Sequence, residues 1–126
     1  SIIGEELKTN LSLIEWVKSN ASKEVNGYLN HQWNGITCLQ YAKICEEIIN
    51  KQLYWNGVKH IFSPNSVSKA ELIKMISDVY NLNITINSID TSIKCDRTLT
   101  SIYPIIFNIP ELSEQLKELK LFKTNL

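Results

Sequence analysis

Glycine is scarce in this chain of 126 residues. The four glycines lie at positions 4, 27, 35 and 57. They are too far apart to form the Gly-rich turn between a strand and a helix that binds a dinucleotide pyrophosphate. The sequence therefore excludes a self-contained dinucleotide-binding domain.

An excess of one charge sign is also absent, because 13 basic residues balance 13 acidic ones. The basic residues are interspersed with acids, so no basic stripe indicates nucleic acid and no basic amphipathic helix indicates a membrane surface. No apolar run approaches the ~20 residues that span a bilayer, and the first ten residues lack the basic-then-apolar order of a signal peptide. We expect no nucleic-acid partner, no membrane partner and a cytoplasmic location.

Cysteine is limited to Cys38, Cys45 and Cys95, an odd number with spacings unlike those of metal sites. Cys38 and Cys45 lie seven residues apart on one predicted helix. Packed, reduced thiols are therefore expected, with neither a disulfide framework nor a zinc site.

The most informative segment that is present covers residues 26–49, NGYLNHQWNGITCLQYAKICEEII. Amide and imidazole groups surround a single tryptophan in the run from Asn30 to Gly35, which suits a polar ligand with a flat face. Thr37 and Gln40 then form a T-x-x-Q capping box at the start of an amphipathic helix. Polar side chains held at a rigid helix start favour a binding site.

The other helices are indicated by their start signals. S-x-x-E capping boxes begin at Ser12 and Ser68, and Pro110 suits the first turn of a last helix with an apolar stripe. Four helices are predicted, over about 11–20, 37–50, 68–80 and 110–122.

The predicted strands are short. Residues 1–4 read as the end of a strand and residues 23–28 as an extended segment, and apolar alternation predicts strands over 58–62 and 84–89. Residues 90–101 have no strong period, which makes this segment a second candidate for site chemistry.

Four segments, in order, resemble the carboxyl-terminal part of extended short-chain dehydrogenases that act on nucleotide sugars, nearest to the dTDP-4-dehydrorhamnose reductase group. They are SIIGEE, NHQWNGIT, VKHIFSPNSVSKAELIKMI and CDRTLTS. The first looks like the strand after the catalytic Tyr-x-x-x-Lys, the second like the substrate loop, the third like the strand, Ser-rich turn and helix that follow, and the last like the Arg-containing substrate segment. The family's loop typically carries Gly-x-Pro-Thr where this chain has Asn-Gly-Ile-Thr, which leaves the sugar open.

The resemblance implies an α/β fold of about four helices with short strands, the substrate-binding portion of a Rossmann-type enzyme. Residues 1–126 would be a substrate-binding domain, a fragment whose amino-terminal dinucleotide-binding domain is absent. NAD or NADP would then bind to the parent protein and no cofactor to this chain. No tyrosine is followed four residues later by a lysine, so this chain alone is not expected to catalyse hydride transfer.

The function implied is nucleotide-sugar binding within an NAD(P)-dependent reductase, dehydratase or epimerase of bacterial surface polysaccharide biosynthesis. A non-catalytic regulatory or binding relative of the family is one alternative, and a free-standing α/β interaction module is another. The expected partners are a nucleotide sugar and the missing domain. Self-association through the surface exposed by truncation is also expected.

The candidate substrate-binding residues are Asn30, Trp33, Asn34, Gly35, Thr37 and Arg97. Arg97 is the only arginine, and its planar fork suits a diphosphate, although a surface ion pair with Asp96 or a glutamate is the alternative. Trp33 could stack on a base or sugar, or cover the helix start. Thr37 is explained mainly by capping, and His31 lacks an orienting carboxylate for catalysis.

Overall fold

The computed structural model describes residues 1–122 as a mixed α/β fold with four helices and short strands, as predicted. In chain order the elements are β1 (Ile2–Ile3), α1 (Leu13–Ser19), β2 (Glu24–Tyr28), β3 (His31–Trp33), β4 (Ile36–Thr37), α2 (Cys38–Asn50), β5 (Val67–Ser68), α3 (Lys69–Tyr80), β6 (Thr85–Ile89), β7 (Cys95–Arg97) and α4 (Leu112–Leu121).

The strands pair in three small sheets. β1 lies parallel to β4, and β2 lies parallel to β6. The third sheet has the order β5-β3-β7, with β3 antiparallel to β5 and parallel to β7. Because β3 is central, it brings together segments from the middle and the late part of the chain.

The core lies where α1, α3 and α4 bury their apolar faces against one another and against β2. Ile14, Ile73, Ile76 and Leu116 are fully buried in it. The apolar stripe that predicted α4 from sequence is buried here, since Leu112, Leu116 and Leu119 all belong to the core cluster. Helix α3 crosses this core with one end directly beside β3.

The predicted capping box of α3 is confirmed. The Ser68 hydroxyl accepts from the Glu71 backbone N–H, and the Glu71 carboxylate accepts from the Ser68 backbone N–H. Helix α3 ends at Tyr80, with Asn81 in the left-handed conformation that commonly ends a helix.

The predicted capping box of α1 is wrong. Ser12 is the N-cap residue, but its side chain makes no capping bond. The Glu6 carboxylate instead accepts from the backbone N–H groups of Leu11 and Ser12. An acidic side chain from the preceding loop therefore satisfies the donors before the helix, which starts at Leu13.

Only half of the predicted capping box at α2 exists. The Thr37 hydroxyl accepts from the Gln40 backbone N–H at 3.2 Å. The Thr37 backbone N–H donates to Oε1 of Gln115 at 3.1 Å, in place of the Gln40 side chain. Gln115 on α4 thus accepts the hydrogen bond that the capping-box pattern predicted for the Gln40 side chain on α2.

Two further expectations are corrected. The segment 58–62 forms no strand, because none of the strands in the described part of the chain pairs with it, and Ser63 instead donates its N–H to the Asn34 carbonyl. Pro110 precedes α4 rather than lying in its first turn, and Glu111 is the N-cap residue. The Pro110 carbonyl accepts from the Gln115 side chain, which holds it outside the helix.

Candidate functional site

The central strand β3 carries the two ring systems of the predicted loop. His31 and Trp33 are two residues apart on a strand, so their side chains lie on the same face. The parallel register pairs His31 with Cys95 and Trp33 with Arg97. The lone arginine is therefore directly beside the tryptophan, although 63 residues separate them in the sequence.

An open cleft of about 410 Å³ lies over this face of the sheet. Its polar and aromatic lining consists of Ser1, Tyr28, His31, Gln32, Trp33, Lys69, Cys95 and Arg97. Of the side chains that line it within residues 1–122, only Lys69 and Arg97 carry a permanent charge and none is a carboxylate. The cleft is thus suited to an anion that also has a flat or apolar part.

Arg97 forms no ion pair with an acidic residue of the described range. Within residues 1–122 no carboxylate lies within 4.0 Å of its guanidinium. The neighbouring Asp96 carboxylate accepts instead from the backbone N–H and hydroxyl of Thr98, at 2.9 and 2.8 Å. These hydrogen bonds hold the pKa of Asp96 below its ordinary value. The alternative of an Asp96–Arg97 ion pair is therefore not formed.

Trp33 packs against its neighbours and also lines the cleft. Its indole N–H donates to the Ser1 hydroxyl at 2.8 Å, and its ring packs directly on Gly35. A Cβ at Gly35 would overlap the indole and the Ser1 carbonyl, so glycine is required by close approach. The same ring lines the cleft. Packing thus fixes the indole in position without removing it from the site.

The amide groups of Asn30 and Asn34 hold β7 in place. Asn30 donates to the Thr91 carbonyl and accepts from its N–H, at 2.8 and 3.0 Å. Asn34 forms the same pair of bonds with Leu99, at 2.9 and 2.8 Å. The two asparagines flank β3 and fasten the segments before and after β7. In this structure both side chains therefore form hydrogen bonds with backbone groups of the protein, and these bonds stabilise the site.

His31 is ordered by its neighbours. Its Nε2 lies 2.9 Å from the Thr91 hydroxyl, and its ring is 4.9 Å from the Tyr28 ring, tilted by 50°. The Thr91 hydroxyl also lies 2.7 Å from the Ile93 carbonyl, to which it can donate. His31 therefore presents an aromatic and polar surface to the cleft rather than being a freely solvated loop residue.

Thr37 is fully buried at the start of α2, where it belongs to a buried polar cluster. Gln115 links this helix start to the Ser63 hydroxyl at 2.9 Å, and Ser63 donates to the Gly35 carbonyl at 2.6 Å. Gln115 and Ser63 were missed from sequence, because an isolated Gln or Ser carries no signal of its own. Together they fix the segment that follows Trp33.

Lys69 was also missed as a site residue, although the capping box at Ser68 predicted that a helix starts here. It is the first residue of α3 and directly follows the N-cap Ser68. Its position beside β3 depends on the antiparallel pairing of β5, a two-residue strand that no pattern predicts.

In the range 1–122 no group of three His, Cys, Asp or Glu side chains could hold a metal ion, and the three cysteines are free. None of the helices in this range is long and apolar enough to cross a membrane.

No family model and no curated protein matches the chain. In fold, however, it is similar to part of the Rossmann-like nucleotide-sugar reductases. The solved structures that it matches include three dTDP-4-dehydrorhamnose reductases. The one from Bacillus anthracis, in complex with NADP, has a TM-score of 0.73 at 12% identity, covering 95% of this chain and 45% of that one.

The Yersinia enterocolitica reductase matches with a TM-score of 0.68 at 18% identity, covering 94% of this chain and 45% of that one. The Clostridium acetobutylicum protein has a TM-score of 0.62 at 15% identity, with 85% and 40% covered. The chain thus spans less than half the length of these structures. At such identities the likeness establishes the fold.

Proposed function

We propose that this chain is the nucleotide-sugar-binding part of a protein similar to dTDP-4-dehydrorhamnose reductase. One observation carries the proposal: Trp33 and Arg97 line a single cleft that has cationic but no acidic lining side chains within the described range. A nucleotide sugar combines a diphosphate with flat and polar groups, so an arginine fork beside an indole suits it. The fold shared with the solved reductases supports the same ligand class.

In this proposal the six candidate residues divide their work. Arg97 binds phosphate oxygens and Trp33 stacks on a ring of the ligand. Asn30 and Asn34 hold the strand that carries Arg97, through their bonds to Thr91 and Leu99. The remaining two, Gly35 and Thr37, fix the indole and the start of α2. In this proposal two residues bind the ligand, and the other four hold those two residues and the start of α2 in place.

The chemistry would be supplied by a dinucleotide-binding domain of the longer protein, with NAD or NADP. The reaction would be reduction, dehydration or epimerisation of the sugar, in the cytoplasm, for a bacterial surface polysaccharide. This division is supported by the lack of a Gly-rich turn and of Tyr-x-x-x-Lys in these 126 residues. A non-catalytic relative that keeps only the binding function is the alternative.

Calorimetric titration with dTDP-glucose tests the proposal. Arg97→Lys replaces a bidentate fork with a point charge, so binding should weaken by about 1–3 kcal/mol with little change in melting temperature. Lys94→Arg is the matched control, because it also exchanges one cation for another, at a residue of the same segment that does not line the cleft. Equal affinity in Arg97→Lys and the unmodified chain would refute the assignment of Arg97.

A further inference from the structure

A second cation lies across β3 from Arg97. In the register of β5 and β3, Ser68 pairs with Gln32 and Val67 with Trp33, so Lys69 follows at the level of His31. Arg97 is on the opposite neighbour of β3, level with Trp33. Two strand spacings, roughly 10 Å, separate the two flanking backbones. Long side chains from both sides can therefore reach a group lying over the central strand.

The Lys69 ammonium has no partner among the described residues 1–122. Among residues 1–122 it takes part in no ion pair and no hydrogen bond, whereas Lys18, Lys43, Lys51, Lys74 and Lys117 all pair with carboxylates. As the first residue of α3, it is also at the helix end where the macrodipole disfavours a cation. Helix stability therefore does not explain a lysine here.

Lys69 lies where two clefts adjoin. The Trp33–Arg97 cleft and a neighbouring open groove of about 610 Å³ share the lining residues Leu13, Tyr28 and Lys69. The groove continues past the shared residues to Trp16, Asn20 and Asn26, and Glu24 also lines it. It thus offers a further aromatic ring and two amides for the uncharged part of a ligand, together with one carboxylate. A ligand occupying both clefts would pass Lys69 at its middle.

We propose that Lys69 is a specificity-determining residue that binds the second phosphoryl group of a nucleoside diphosphate, opposite Arg97. This inference rests on the proposed function and deepens it. In a nucleotide sugar the diphosphate lies between the nucleoside and the sugar, which matches a cation at the junction of two clefts. Two like charges in a cleft without acidic lining repel each other, and an anion between them removes that cost. The site therefore selects diphosphates over monophosphates.

Titration of the 126-residue chain with dTDP and with dTMP tests this selection. Lys69→Gln should weaken dTDP binding about tenfold or more, as expected for a charge-assisted hydrogen bond, and should leave dTMP binding nearly unchanged. Lys69→Arg keeps the charge and should retain most of the dTDP affinity. Lys74→Gln removes an exposed lysine of the same helix that pairs with Asp78, so it controls for loss of one charge.

The outcomes separate the two proposals. If Lys69→Gln binds dTDP as tightly as the unmodified chain while Arg97→Lys does not, Lys69 has no role and the proposed function stands. If Lys69→Gln lost equal affinity for dTDP and dTMP, Lys69 would only attract anions without distinguishing them, and the inference would be overturned. If the unmodified chain binds neither dTDP nor dTDP-glucose, the proposed function itself is wrong. The inference is supported if the ratio of dTDP affinity to dTMP affinity falls in Lys69→Gln but not in Lys74→Gln, with an unchanged melting temperature.

Discussion

At the scale of single residues, Gln115 determines how the helix α2 begins. It lies within the apolar stripe of α4, is fully buried, and bonds to the Thr37 N–H, the Ser63 hydroxyl and the Pro110 carbonyl. Its partners Thr37 and Ser63 are 78 and 52 residues away in the sequence. Sequence reasoning could identify the helix but not these partners, because only the tertiary fold brings them together.

Gln115→Leu should destabilise the protein by at least about 2 kcal/mol. The substitution introduces an apolar side chain of similar size but leaves buried polar groups at Thr37 and Pro110 without a partner, each costing about 1–3 kcal/mol. Urea unfolding followed by circular dichroism measures the change.

The control for this substitution is Lys117→Gln on the exposed side of the same helix. It removes only the exposed ion pair with Glu114, so the free energy of unfolding should change by less than about 1 kcal/mol. If both variants unfolded at the same urea concentration, the buried cluster would not contribute to stability.

At the scale of elements, the helices and the strands β1, β2 and β6 were predictable from sequence, whereas β3 and β5 were not. Capping residues and apolar stripes are local, so all four helices were found. The predicted start of α1 is too early, where Glu6 replaces the local cap, whereas α2 has the predicted bounds although Gln115 supplies part of its cap. Strands β3 and β5 contain three and two residues and exist only through their partners. Trp33 and Arg97 were proposed from the chemistry of their side chains. Lys69, the third candidate ligand-binding residue, was missed because only the pairing of β5 with β3 brings it to the cleft.

The turn that ends β7 should respond to acid. Backbone and side-chain hydrogen bonds from Thr98 lower the pKa of Asp96 below its ordinary value of 3.8. A lowered pKa means that the bonds are fully present above that value and are lost as the pH falls through the folded-state pKa. The Thr98 amide proton shift in NMR spectra should titrate with a midpoint below 3.8.

Asp96→Asn is the matched variant for this titration. An amide oxygen can still accept from Thr98 but cannot be protonated in this range, so the Thr98 shift should become flat with pH. A midpoint above 3.8 in the unmodified chain would contradict the hydrogen-bonded carboxylate.

At the scale of the whole molecule, a large apolar surface is uncovered. Residues 98–110 contain no charged side chain, and Ile102 and Ile105 are 93% and 62% exposed. Val58, on another irregular segment, is 77% exposed. Because exposed apolar surface commonly serves as a contact area, we propose that these segments contact another protein molecule or domain.

The 126-residue chain should therefore self-associate in sedimentation experiments, with a weight-average mass that rises with concentration. The double substitution Ile102→Glu and Ile105→Glu should return it towards the monomer, because burying carboxylates without partners is unfavourable. Leu7→Glu changes an exposed leucine in another segment and should have no effect. A monomer at all concentrations would contradict this expectation.

The central position of β3 affects the stage of folding at which the cleft forms. Trp33 pairs with Val67 and with Arg97, so the cleft forms only when residues that are distant along the chain come into contact. Such contacts carry a loop-closure cost that local helices do not. During synthesis the tryptophan half would be made and α2 could form well before the arginine emerges. The ability to bind an anion would then be among the last properties that the folding chain acquires.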